Sequence, residues 1–495
     1  MNRMSVLQET VFGTRIAEDE VDELHTYFVE TDQWKKLLSG EVDIVFGSKG
    51  SGKSALYSLL VAQENELRVK DRTLFIAAEN PRGTPVFREL SAKSNLSEEN
   101  FRSLWKLYFL SISANYLRHH LTTSNIKNQE ANEVFDLLSE HGLLAPGITL
   151  LTRLKSVLEY LRKLAPSFEG SVTDPTGVTY GAKITFEEPS IEERSLGYRS
   201  LDNLLAQLNN VFSIYKITVW LALDRLDVAF SDSETLEAVA LRSLFRTYLD
   251  MLSLSHIKVK IFLRDDIWSK IVKGGFREAS HVTRSITLSW DQKSLLNLIV
   301  RRLVSNESVC KFYKMSQKEV LKSAEQQSLF FYKVFPPQVD VGKSKPKTLD
   351  WMLSRTADGT KRTAPRELIH LLLAARDEQL KLDELGSSDR EQLYLIGNSS
   401  IRSGLLSVSK ARFEQTLCAE KPSLQPYLQK LEGQKTQQTP LTLTTIWGCS
   451  NEQTTIIIEQ LIEAGFFERR GTREKPIFWV PMLYRGALKL IQGAA

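Results

Sequence analysis

Residues 47–54 read Gly-Ser-Lys-Gly-Ser-Gly-Lys-Ser, set between an apolar, β-branched run at 42–46 and a helical run at 55–60. A strand, a glycine-rich turn closing on Lys-Ser, and a helix leave the chain few ways to fold. The glycines let backbone N–H groups turn inward around phosphate oxygens, and the following helix adds the positive end of its dipole. Gly47, Ser48, Lys49, Gly50, Ser51, Gly52, Lys53 and Ser54 are therefore the expected phosphate cradle. Lys53 would reach the β- and γ-phosphates as a point charge, and the Ser54 hydroxyl would ligate Mg²⁺. A chance glycine turn would not require both flanking elements. The expected ligands are ATP and Mg²⁺.

Further strands are read at Thr73–Ala77, 217–223, 257–263 and 285–289. Helical periodicity fills the stretches between them. This alternation predicts a three-layer α/β domain with a mainly parallel sheet. About 140 residues separate the second strand from the third, far more than one crossover helix needs. Residues 81–195 are accordingly expected to be a mostly helical insertion, with helices at 98–121 and Leu150–Leu164 and a hairpin at 178–186. Beyond residue 290 the strand signal fades. The expected organisation is an ATPase domain over 1–290, a helical lid over 291–385 broken by a polar loop at 335–348, and a winged-helix domain over 386–495. In that tail, helices at 440–448 and 451–464 precede strands at 466–470 and 477–480. Ser450-Asn451-Glu452-Gln453 has the pattern of a capping box.

The partner of a phosphate loop is an acid at the end of another buried strand. Asp224 ends the apolar run 217–223 and is expected on the Mg²⁺ coordination sphere with Ser54. The next position holds Arg225, where many ATPases of this layout carry a water-orienting Glu. Asp227 is the nearest alternative carboxylate; it could polarise water or merely cap the turn. Hydrolysis is thus expected to be slow or partner-dependent. Arg264 follows the strand at 257–263, at the carboxyl edge where ligands bind; the alternative is a salt bridge to Asp265 or Asp266. Arg366 lies off the apolar stripe of Leu368, Leu371, Leu372 and Ala375, free to reach a γ-phosphate or simply solvated.

Together the 47–54 loop, Leu223-Asp224-Arg225-Leu226-Asp227, Phe262-Leu263-Arg264, Pro365-Arg366-Glu367-Leu368-Ile369 and the winged tail resemble the AAA+ and STAND branches of bacterial P-loop ATPases. The likeness is to a group of stand-alone ATPases with a Phe-Gly pair and a Tyr-Phe-Val stretch, here 27–29, ahead of the loop. The resemblance implies that Arg264 acts as a sensor-1 residue and Arg366 as a sensor-2 residue, and that lid and winged helix close over the nucleotide. It also implies a regulatory ATPase switch acting on a protein partner or a second copy, in phage defence or DNA-linked signalling.

The remaining features bound the alternatives. There are 64 Lys+Arg against 60 Asp+Glu, a net charge of +4 over 495 residues, which excludes a broadly basic nucleic-acid coat. The helix at 451–464 carries Glu452, Glu459 and Glu463 and no cation, which disfavours DNA in the major groove. Arg469, Arg470, Arg473 and Lys475 make the turn after it more basic, so an initiator-like or transcription-linked DNA-binding ATPase stands as the alternative. His119-His120 has no second ligand at metal spacing. Three distant cysteines, no signal-like start and no bilayer-length apolar run point to a cytoplasmic location without membrane contact.

Overall fold

The computed structural model describes residues 2–14, 19–79, 97–144, 149–164, 184–185, 188–195, 198–229, 233–386 and 393–494. The expected hairpin at 178–186 lies largely outside these. The chain divides into two compact units, one of Asp32–Ser48 and Lys53–Leu288, the other of Met1–Thr31, Lys49–Gly52 and Ser289–Ala495.

The first unit is built on a five-stranded sheet of β1 (Ile44–Gly47), β2 (Thr73–Ala77), β3 (Thr218–Leu223), β4 (Ile257–Arg264) and β5 (Ser285–Thr287), in the order β2-β3-β4-β1-β5. Every pairing is parallel. Strands covered on both faces read as near-continuous apolar runs, and β1 is buried at all four positions. Helices flank the sheet: Tyr57 of α1 (Lys53–Ala62) packs edge-on against Phe75 and Phe262 on one face, and α2 (Glu98–Thr123) lies on the other. The stretch expected as an insertion supplies much of one face of the sheet. Trp105, Tyr108 and Phe109 of α2 are fully buried in one core with Ile44, Leu221 and Ile261, and α3 (Leu201–Ile214) adds Leu208 and Phe212. The third flanking helix of that face, α4 (Glu234–Met251), contributes Leu244 and Phe245.

At the amino ends of the strands a buried ionic cluster ties three of them together. Lys260 Nζ donates to Asp43 Oδ1 at 2.8 Å and to the Val42 carbonyl at 2.6 Å, and it lies 4.2 Å over the Trp220 ring. Arg284 holds the other Asp43 oxygen. A buried charge of this kind must be paired to be tolerated.

In the second unit, α5 (Gln292–Val304) and α6 (Pro365–Glu384) pack in one apolar core with α7 (Asn398–Arg412), and Phe413–Cys418 extends that helix with a π-helical turn. The tail has β6 (Lys435–Gln438), α8 (Pro440–Trp447), α9 (Asn451–Glu463), β7 (Glu468–Gly471), β8 (Pro476–Trp479) and β9 (Ile491–Ala494), with strand order β9-β6-β8-β7. This is the winged-helix arrangement expected from the sequence. Ser450 caps α9 by accepting from the Gln453 N–H at 3.2 Å, so the one-directional half of the capping box forms.

The motif residues ahead of the phosphate loop have a structural role here. Arg302 of α5 donates to Glu20 at 2.7 Å and to the Phe12 carbonyl at 2.5 Å, and lies 4.2 Å over the Tyr27 ring. Tyr27 in turn donates to Glu20 at 2.9 Å. Val29 packs on Leu298 and Ile369. Among the described residues, no helix is long and apolar enough to cross a membrane.

Candidate functional site

The phosphate loop leaves β1 at Gly47 and enters α1 at Lys53. Its turn is made by Gly50 and Gly52, both in the left-handed region at φ 80° and 100°, which L side chains rarely adopt. Lys53 Nζ donates to the carbonyls of Gly47 at 2.7 Å and Ser48 at 3.1 Å. Burial lowers the Lys53 ammonium from its ordinary value, and the charges of Asp224 and Asp227 oppose that shift. The Ser51 hydroxyl is buried and makes no hydrogen bond among the described residues.

Asp224, one residue past β3, is 4% exposed. Burial pushes its carboxyl up to about 6, and the polar groups of Ser54 and the Arg225 N–H, together with the nearby Lys53 charge, oppose that shift. A buried carboxylate near a hydroxyl of the first turn of α1, beside a lysine, fits a hydrated divalent cation that would neutralise it. Ser54 and Asp224 would hold Mg²⁺, which would draw charge from a transferring phosphoryl group. Among the described residues no group of three or more His, Cys, Asp and Glu side chains could hold a metal ion by itself.

Asp227 and Arg264 come together. Arg264 Nη1 is 3.6 Å from Asp227 Oδ2. Its firmer partner is Asp266, which it grips with Nε at 3.0 Å and Nη2 at 2.8 Å. The salt-bridge alternative weighed for Arg264 is thus realised. Asp266 is held below the usual carboxylate range by Arg264, overcoming the effect of burial. Lys53, Ser54, Asp224, Asp227 and Arg264 therefore lie together in the sheet unit.

Arg366 belongs to the other unit, at the first turn of α6, where Pro365 occupies the first helical position. Within that unit the loop tip packs on it: a Cβ added at Gly50 would meet Arg366 Cβ at 3.0 Å and Ala364 Cβ at 3.5 Å. Among the described residues the half-buried Arg366 guanidinium makes no hydrogen bond or ion pair. The same tip is held elsewhere: Lys49 pairs with Glu420, and Trp290 donates to the Ser51 carbonyl at 2.8 Å. The neighbouring Glu367 accepts from Arg412 at 3.0 Å.

Two acids went unnoticed in the sequence. Glu79 is fully buried just past β2. Glu237 of α4 is pushed up to about 7 by burial, with Lys270 opposing and Asp227 reinforcing the shift. The rule that found Asp224, an apolar strand ending in an acid, applies equally to Thr73–Ala77 followed by Glu79.

No family model matches the chain, and no curated protein is detectably similar to it. Solved structures align along much of its length. The ORC2 protein of Aeropyrum pernix, described in ADPNP–ADP complexes, is 12% identical over 95% of this chain and 93% of that one, with a TM-score of 0.28. Cdc6p from Pyrobaculum aerophilum is 14% identical over 68% of this chain and 83% of that one, with a TM-score of 0.21.

Proposed function

We propose that this chain is an ATP-binding, Mg²⁺-dependent ATPase that acts as a regulatory switch. The observation that carries the reading is the buried Asp224 carboxylate past β3, held within the electrostatic influence of Ser54 and Lys53 at the end of the phosphate loop. A strand-loop-helix cradle alone would bind phosphate; a buried acid set against its serine adds a place for the metal that phosphoryl transfer requires. The packing of the loop tip Lys49–Gly52 against Arg366 and Glu367 of α6, within one unit, supports a switch. In the resemblance to AAA+ and STAND ATPases, Arg366 then senses the γ-phosphate and a protein partner or second copy reads the outcome.

A DNA-binding ATPase is the second reading, favoured by the exposed wing arginines. Arg469 and Arg470 are half exposed, but Arg469 pairs with Glu459 of α9 and Arg470 with Glu468. Neither brings free charge to a phosphate.

Lys53→Ala should abolish tight binding of a fluorescent ATP analogue while leaving the circular dichroism and thermal transition of the chain in place. Undiminished affinity in the folded variant would remove the ATPase reading.

A further inference from the structure

Arg225 occupies the position where a carboxylate could best turn a water toward a terminal phosphate. Its backbone is left-handed, at φ 60°, a conformation uncommon outside glycine, asparagine and aspartate. The strand next door supplies a carboxylate instead. β2 and β3 pair in parallel from Thr73↔Thr218 to Ala77↔Ala222, and the Ala78 N–H donates to the Ala222 carbonyl at 2.8 Å. Two residues past the last pair on each strand stand Glu79 and Asp224. Residues at equal offsets in a parallel ladder lie on the same face. That face is the one covered by α1. Tyr57 of α1 donates to the Glu79 carbonyl at 2.9 Å and packs edge-on against Phe75 of β2 and Phe262 of β4. Burial raises the Tyr57 hydroxyl well above its usual value, and the charges of Asp224 and Glu79 raise it further, so both acids act on one side chain of α1.

We propose that Glu79, carried on the strand beside the metal-site strand, is the catalytic base that orients and deprotonates the attacking water. The assignment rests on the ATPase reading. The water oxygen bonds to the γ-phosphorus as the bond to the β–γ bridging oxygen breaks. The bridging oxygen leaves on ADP with the electron pair, and Glu79 takes one water proton and later returns it to solvent. ATP and water thus become ADP, inorganic phosphate and a released proton.

The two rival acids are worse placed. Asp227 is 28% exposed and shares its charge with Arg264. Glu237 projects from α4 into a group containing Lys270, Asp227, Arg264 and Asp266. Its charge is shared among these groups near the carboxyl end of β4, and α4 packs on the sheet face opposite the one that Asp224 and Glu79 share.

The test uses the full chain with Glu79→Gln, Asp227→Asn and Glu237→Gln, measuring ATP affinity and single-turnover hydrolysis with Mg²⁺. Glu79→Gln should bind ATP within about threefold of the parent and hydrolyse it at least about 100-fold more slowly, the size of a lost general base. Asp227→Asn and Glu237→Gln should hydrolyse within about tenfold of the parent, a smaller loss than that of a general base. Glu79→Asp guards against a folding defect: it keeps the charge, and a folded, ATP-binding variant should turn over slowly but faster than Glu79→Gln. Turnover by Glu79→Gln at the parental rate overturns the assignment, as does a collapse of rate in Asp227→Asn or Glu237→Gln alone. Tight Lys53-dependent binding with no hydrolysis in the parent also overturns it, while leaving nucleotide binding intact. Absence of Lys53-dependent binding in the parent removes the ATPase reading itself.

Discussion

At Asp224 the cost of burying a charge is set against the need for one. A carboxyl moved from 3.8 to about 6 by burial is favoured by folding in its neutral form. In the ligand-free chain its stabilising contribution is therefore complete below its ordinary value near about 4, and it is lost as pH rises through about 6. Asp224→Asn is neutral at every pH. It should raise the stability of the ligand-free chain by about 3 kcal/mol at pH 8 and by only about 1 kcal/mol at about pH 4.5, a difference on the order of 2 kcal/mol read as a shift of the thermal midpoint. With Mg²⁺ and ATP present the order should invert, because the metal needs the ionised acid and the amide cannot supply it. Thermal unfolding at both pH values, with and without Mg²⁺ and ATP, checks this; a variant no more stable than the parent at pH 8 would mean that the acid is not penalised by burial. Asp224 was legible in the sequence because its signal is local, a run of apolar residues closed by an acid. Glu79 carries the same local signal. What makes it significant is that β2 lies beside β3, across more than 140 residues of chain, and no local pattern states which strands are neighbours. Arg264 shows the converse limit. Its place at a strand end was readable, but its choice of Asp266 depends on the first turn of the helix that follows.

Among the elements, α6 connects most directly with the phosphate loop inside its unit. Its amino-terminal turn presents Ala364, Arg366 and Glu367 to Gly50, which sits at φ 80° with Arg366 Cβ 3.0 Å from where a Cβ would lie. Gly50→Ala would impose both a left-handed alanine and a close approach to α6. The backbone term alone is about 1–3 kcal/mol, and relief requires α6 to give way. The expected result is faster hydrogen exchange over residues 362–372 and weaker ATP binding, with the exchange of β8 unchanged. Arg366→Ala removes the side chain without the strain. It should spare the fold and ATP binding, reduce the preference for ATP over ADP, and erase the ATP-dependent part of the protection over 355–375. Equal ATP-dependent protection in variant and parent would deny Arg366 its sensing role. The amphipathic stripe of α6 was readable from spacing, and so was Pro365 at its start. That Arg366 lies against the loop was not, since the loop tip and α6 are over 300 residues apart. The stretch at 81–195, expected as a mostly helical insertion, carries helices at Glu98–Thr123, Gln129–Glu140 and Leu150–Leu164 among the described residues, and Trp105, Tyr108 and Phe109 bury the first of them in the main core, a placement that spacing along the chain does not state.

For the molecule as a whole, the question is whether the winged-helix tail reads nucleic acid or serves another contact. A recognition helix meets dense phosphate charge. The exposed positions of α9 include Glu452, Glu459 and Glu463, with Ile456 59% exposed among them, and none is basic. The wing compensates only in part. Arg469 is engaged by Glu459, and Arg470 is paired with Glu468 at 2.8 Å and lies 3.9 Å over the Trp479 ring. A surface with an acidic helix, an exposed isoleucine and arginines already committed to neighbouring acids and aromatics is better suited to a protein than to a duplex. The full chain should therefore bind DNA only weakly, without sequence preference, and the binding should fall steeply between low and physiological salt, since phosphate contacts alone behave that way. Charge reversal of α9, with Glu452→Lys and Glu459→Lys together, should strengthen that non-selective binding, partly by releasing Arg469. Arg469→Ala with Arg473→Ala should weaken it. A DNA titration at two salt concentrations, with and without ATP, separates the cases. Submicromolar, sequence-selective binding at physiological salt, lost on substituting residues 451–455, would make α9 a base-reading helix and promote the DNA-binding reading over the protein-coupled switch. Binding lost only on substituting the wing arginines would leave the switch in place, with the nucleic-acid backbone as a cue that the wing can feel.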